Sequence, residues 1–130
     1  MESTLAELGW IHDCVVSRIS YDPFGDGGRS IEFEVSCPDD LGYPPWEGRN
    51  LIVVTGNVAV VKCMIWGWVN SPETIDAIRP GVSDSIKQDM TRASAAGARI
   101  PSLEFTVSLH SGSSFEIVCE KLFVQVLGDS

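Results

Sequence analysis

Two stretches of the chain alternate apolar and polar residues with a period of two. In the first, Ile31, Phe33 and Val35 are interleaved with Ser30, Glu32, Glu34 and Ser36. In the second, Leu103, Phe105, Val107 and Leu109 alternate with Ser102, Glu104, Thr106 and Ser108. Successive side chains of a strand point to opposite faces, so each stretch presents one apolar face and one wet face, as antiparallel sheets do. After a turn at residues 110–114, Phe115, Ile117 and Cys119 continue the alternation. The phase then slips near Glu120 and Lys121, because Leu122, Val124 and Val126 fall at even positions. A bulge there is expected to restore the inward face.

Residues 11–21 read as a strand with Ile11, Val15, Ile19 and Tyr21 on one face and Cys14 and Val16 on the other. Residues 51–55 and 58–69 read as further strand, divided by a bulge or tight turn at Gly56-Asn57, with Trp66 and Trp68 on one face. The Pro, Gly and Asp content of residues 22–28 predicts a turn, and that of residues 37–50 a loop. A short helix is expected from Ser3, as N-cap, to Leu8, ended by Gly9. Ser71-Pro72-Glu73 reads as a helix start, with Ile75 and Ile78 as its apolar stripe and Pro80-Gly81 as its stop. Ser83-Asp84 opens the one substantial helix, in which Ile86, Met90 and Ala93 share a face and Gly97 is the C-cap. These elements predict an α+β fold that is mainly β. It is an antiparallel sheet, half-barrel or sandwich of about six strands, with one main helix between strands, in a single domain spanning residues 1–130.

Composition narrows the function. Acidic residues outnumber basic ones 18 to 9, and the resulting net charge of −9 repels phosphate backbones, so nucleic acid is not expected as a partner. The same field attracts a basic protein. No run approaches the ~18 apolar residues of a membrane span, and Met1-Glu2-Ser3-Thr4 lacks the basic start of a secretory leader, so a cytoplasmic location without membrane contact is expected. Cys14, Cys37, Cys63 and Cys119 form no C-x-x-C pair and lie in apolar runs. They read as a metal site, a disulfide pair or reduced buried thiols, and a cytosolic location favours the last.

Candidate chemistry is sparse. His12 beside Asp13, with His110 elsewhere, is the combination that a metal or an acid–base site would use. Strand neighbours point apart, however, so His12 and Asp13 are not expected to share an ion, and no metal or cofactor is assigned. Cys14 follows His12 by two residues, on the same strand face, as a candidate nucleophile and base, although its apolar flanks suit a buried thiol. G-x-S-x-G is missing, and the glycines at residues 25–28 open no helix to receive a phosphate. A non-enzymatic binding role is therefore expected. The candidate partner-binding residues are Tyr43 and Trp46 with Asp39 and Asp40 in the long loop, and Glu32 and Glu34 on the wet strand face. The alternative for Trp46 is that it folds back to cap the core.

The segment Gly9-Trp10-Ile11-His12-Asp13-Cys14, then Ile19-Ser20-Tyr21-Asp22, with a closing Ser111-Gly112-Ser113 turn before Phe115-Glu116-Ile117, resembles small β-rich bacterial proteins of uncharacterised families. Some of these look like immunity proteins of polymorphic toxin systems. The resemblance implies binding and carries no catalytic residues. The expected function is thus an acidic protein-binding module, immunity-like, with a basic protein as partner. A homo-oligomeric structural module is the second reading, and a small metal-dependent enzyme using His12, Asp13 or His110 the third.

Overall fold

The structure is a computed structural model that describes residues 2–23, 28–65 and 73–127. Its strands are β1 (Val15–Asp22), β2 (Ser30–Ser36), β3 (Asn50–Met64), β4 (Glu73–Pro80), β5 (Leu103–Leu109) and β6 (Ser114–Leu127). They close into an antiparallel barrel in the order β1-β2-β3-β6-β5-β4. Two three-stranded meanders, β1-β2-β3 and β4-β5-β6, are thus joined by a long β3–β6 ladder and by a short β1–β4 seam. The seam pairs Val15 with Thr74 and Val16 with Glu73. Helix α1 (Leu5–Leu8) precedes the barrel, and α2 (Asp84–Ala95) connects β4 to β5. The mainly-β fold with one main helix between strands holds, and its sheet is fully closed.

The two alternating stretches supply the interior. Ile31, Phe33, Val35, Phe105, Val107 and Leu109 are all buried, and Phe33 meets Phe115 edge to face with ring centroids 5.7 Å apart. The predicted phase slip in β6 is present, and β3 makes the same slip opposite it. Leu51, Val53 and Thr55 point inward at odd positions and Val58 at an even one, while Leu122 and Val124 face their partners Thr55 and Val53. Thr55 pairs with Leu122 and Val58 with Cys119, so both strands turn over within three residues without losing register. Asn57 takes a left-handed conformation (φ 55) to make this turn, and its amide donates to Glu120 Oε2 at 2.9 Å. A register shift does occur nearby, but in β3, between Val58 and Val60.

Four expectations are corrected. Residues 50–64 form one strand rather than two. The helix expected around Ile75 and Ile78 is strand β4: a bulge between Ile75 and Ala77 makes Asp76 an extra residue, so isoleucines three apart both reach the core side. A bulged strand thereby imitates a helical spacing. Gly9–Ile11 is a single helical turn rather than strand, so β1 begins only at Val15. Finally, Thr4 caps α1 in place of Ser3: its hydroxyl accepts from Glu7 N, and the Glu7 carboxylate accepts from Thr4 N in return. Ile19 and Tyr21 lie opposite Phe33 and Ile31 but remain exposed, because β4 accompanies β1 only at Val15 and Val16. The expected turn at residues 22–28 and the pairing of Trp66 with Trp68 fall largely or wholly outside the described residues, as does the Ser71-Pro72 start.

The main helix follows its predicted stripe, with Ile86 buried and Met90 and Ala93 half-buried. Its start is tied to the outer wall of β6, where Ser83 N donates to Glu116 Oε1 at 2.6 Å. Gly97 (φ 96) carries the left-handed residue that ends it.

Candidate functional site

Three backbone irregularities bring four titratable side chains together at one end of the barrel. Asp13 sits between the Gly9–Ile11 turn and β1 with φ 67, a left-handed conformation that is uncommon without glycine. Its N–H donates to Ile75 O at 2.7 Å, which fixes it against β4. Asp76 is the bulge residue of β4, and bulges re-aim side chains. His110 follows β5 at the start of the hairpin turn, and its N–H donates to Thr74 O at 2.9 Å. His12 Nδ1 lies 3.2 Å from Asp13 Oδ2, and His110 Nε2 lies 3.7 Å from Asp13 Oδ1 and 3.9 Å from Asp76 Oδ1. One carboxylate is thus bracketed by two imidazoles.

His12 and Asp13 therefore do meet, contrary to the strand-based expectation, because they occupy a turn in which neighbours need not point apart. His12 and Cys14 do not act as a pair: Cys14 is fully buried and its thiol faces Cys37 at 3.1 Å. Ser111 is engaged within its own turn, 3.1 Å from Ser113 Oγ. All four side chains of the cluster are half to two-thirds exposed, so their mutual contacts are worth little to stability. Among the described residues no group of three or more His, Cys, Asp or Glu side chains is arranged to hold a metal ion.

Beside this cluster lies a cleft of about 290 Å³ lined by His12, Asp13, Pro38, Asp40 and Leu41. The 38–49 loop forms its other bank. Trp10 stacks on Tyr43 with centroids 5.6 Å apart and planes 19° from parallel, and it leans on Gly42. Tyr43 donates its hydroxyl to Glu7 Oε2 at 3.2 Å; partial burial, and then this carboxylate, push the phenol above its usual pKa. Trp46 meets Tyr43 edge to face at 4.8 Å and is only 6% exposed.

The candidate residues therefore separate. Asp40 lines the cleft with His12 and Asp13, and Tyr43 stacks on Trp10. Asp39 is exposed, but its carboxylate lies against Gly48 within the loop. Trp46 caps the core and offers no surface anchor, because closing the loop over the barrel end places the indole inside. Glu32 and Glu34 stand on the side wall, where the register sets Arg18 opposite Glu34 and places Ile52 and Val54 alongside. Apolar and basic neighbours thus interrupt that acidic stripe. Sequence reasoning missed Asp76 and Trp10. Reading β4 as a bulged strand is the signal that would have found Asp76, and the short helical run before Trp10 would have placed that ring outside the sheet.

No family model matches the chain, and neither a curated relative nor a solved structure matches it.

Proposed function

We propose that this chain is a non-enzymatic, immunity-like binding module whose end face receives a basic protein segment. The observation that carries this reading is the Trp10–Tyr43 stack, with Trp10 40% exposed, on the two segments that bring the carboxylates of Asp13 and Asp40 to one cleft. An exposed indole face attracts a Lys or Arg cation, and neighbouring carboxylates pair with further basic groups. The net charge of −9 adds long-range attraction. The absence of an exposed nucleophile from the described cluster suits binding better than covalent catalysis. A cytoplasmic location, where thiols stay reduced, suits the four unpaired cysteines.

Titration calorimetry with an arginine-rich peptide tests the reading. Binding should weaken at least tenfold as salt rises from about 50 to about 300 mM. Trp10→Ala and Asp13→Gly should each weaken it by about tenfold, while Glu32→Gln with Glu34→Gln should change it less than twofold. Asp13→Gly removes the carboxylate and also relieves a left-handed backbone, so its lost binding should come with unchanged or slightly raised stability. Equal losses from the side-wall variants would show that the peptide recognises only bulk charge.

A second reading, self-association, is favoured by Met64 and Ile65 where β3 ends, exposed at 59% and 66%. Large apolar side chains exposed at a strand end invite contact with another copy. Sedimentation should then show a dimer that Met64→Lys dissociates, and a monomer at all concentrations would exclude it.

A further inference from the structure

Cys14 and Cys37 extend the β1–β2 ladder by one position beyond the Val15–Ser36 pair. The backbone bonds show which kind of position it is. Cys14 N donates to Ile11 O, Cys14 O accepts from Ile75 N, and Cys37 N donates to Arg49 O. The two residues exchange no hydrogen bonds of their own, which marks a non-hydrogen-bonded pair, the kind in which Cα atoms approach to about 4.5 Å and side chains lie close. That spacing is within the range a disulfide spans. The thiols already face each other, with Cys14 Sγ donating to Cys37 Sγ at 3.1 Å.

We propose that Cys14 and Cys37 are a modification site: a dithiol that closes to an intramolecular disulfide by exchange with a small cationic disulfide. The cleft supplies the route. Two of its lining residues, Asp13 and Pro38, adjoin the two cysteines in sequence, and Asp13 and Asp40 favour a cationic reagent over an anionic one. Cys37 attacks first. It retains 7% exposure against none for Cys14, and the S–H bond from Cys14 favours its thiolate, although burial opposes it. Its sulfur attacks the reagent's S–S bond, forms a mixed disulfide and releases one thiol. The Cys14 sulfur then attacks the Cys37 sulfur, its proton passing to the departing thiolate, which leaves as the second thiol. Two protein thiols are oxidised and one reagent disulfide is reduced. The bond joins the segment carrying Asp13 to the base of the loop carrying Tyr43, so the proposed binding face and the redox state share a support.

The test uses the full-length reduced chain with cystamine as the probe, followed by alkylation and peptide mapping without reductant. The expected result is a Cys14–Cys37 cross-linked peptide from the folded protein and the loss of those two thiols, reversed by dithiothreitol, while the third buried thiol, Cys119, stays free. The exposed Cys63 carries at most a cysteamine adduct, and Cys63→Ser leaves the cross-link unchanged. In Cys14→Ser, Cys37 should stall as the mixed disulfide. Recovery of Cys14 and Cys37 as free thiols while Cys63 is modified would overturn the proposal, as would a cross-link that forms only in denaturant. Because the readout is covalent mapping, it stands or falls independently of peptide binding.

Discussion

Trp46→Ala lowers the free energy of unfolding by about 3–5 kcal/mol, whereas Trp10→Ala costs less than about 1 kcal/mol. Both indoles meet the Tyr43 ring but in different surroundings. Trp46 is 6% exposed, belongs to the barrel core and closes its end, so truncation leaves a cavity that neighbours fill only in part. Trp10 is 40% exposed and loses mainly its stacking on Tyr43. The loop amplifies the difference. Trp46 N donates to Tyr43 O at 3.0 Å and Arg49 N to Trp46 O at 3.1 Å, so the ring is held by a closed turn that cannot easily collapse into the vacated space. Urea denaturation of both variants measures this. Comparable losses, or a larger one for Trp10, would mean that the loop packs the other way round.

Leu122→Ala is expected to cost about 2–5 kcal/mol, and its neighbour Lys121→Ala to stay within about 0.5 kcal/mol. The contrast reports on the point where β3 and β6 turn over together. Before it, Phe115, Ile117 and Cys119 face inward; after it, Leu122 and Val124 do. Leu122 has no exposed surface and lies opposite Thr55, which is also fully buried and donates its hydroxyl to Ile31 O at 3.2 Å. Lys121 lies opposite Gly56 and is exposed. If the alternation ran unbroken through residues 115–127, Lys121 would face inward and Leu122 outward, and the ranking of the two variants would reverse.

How much of this was legible follows from the physics of each segment. The strands at residues 30–36 and 103–109 announce themselves because one wet and one dry face impose a period of two, and nothing interrupts it. The slip at Glu120-Lys121 was visible for the same reason, but its partner in β3 was not. Gly56-Asn57 reads as a break in one strand, and only the pairing shows that the strand continues through it. Ile75 and Ile78 misled because an inserted residue shifts period two to a spacing of three, which a helix also produces. The site was half visible. His12, Asp13 and His110 stood out as the chain's two histidines and a neighbouring acid, but a strand geometry for residues 11–13 separated residues that a left-handed turn brings together. Asp76 carried no signal while β4 was read as a helix.

The amino-acid sequence alone determined the class of fold, the acidic character and the inward residues of β2, β5 and β6, because side-chain alternation and charge are local properties summed along the chain. Closure of the barrel, the burial of Trp46, the meeting of Asp13 with both histidines and the pairing of Cys14 with Cys37 were decided by tertiary structure. Each depends on which strands lie side by side, in what register and around which bulges. Those choices are fixed by packing between segments distant in sequence, and no single segment encodes them.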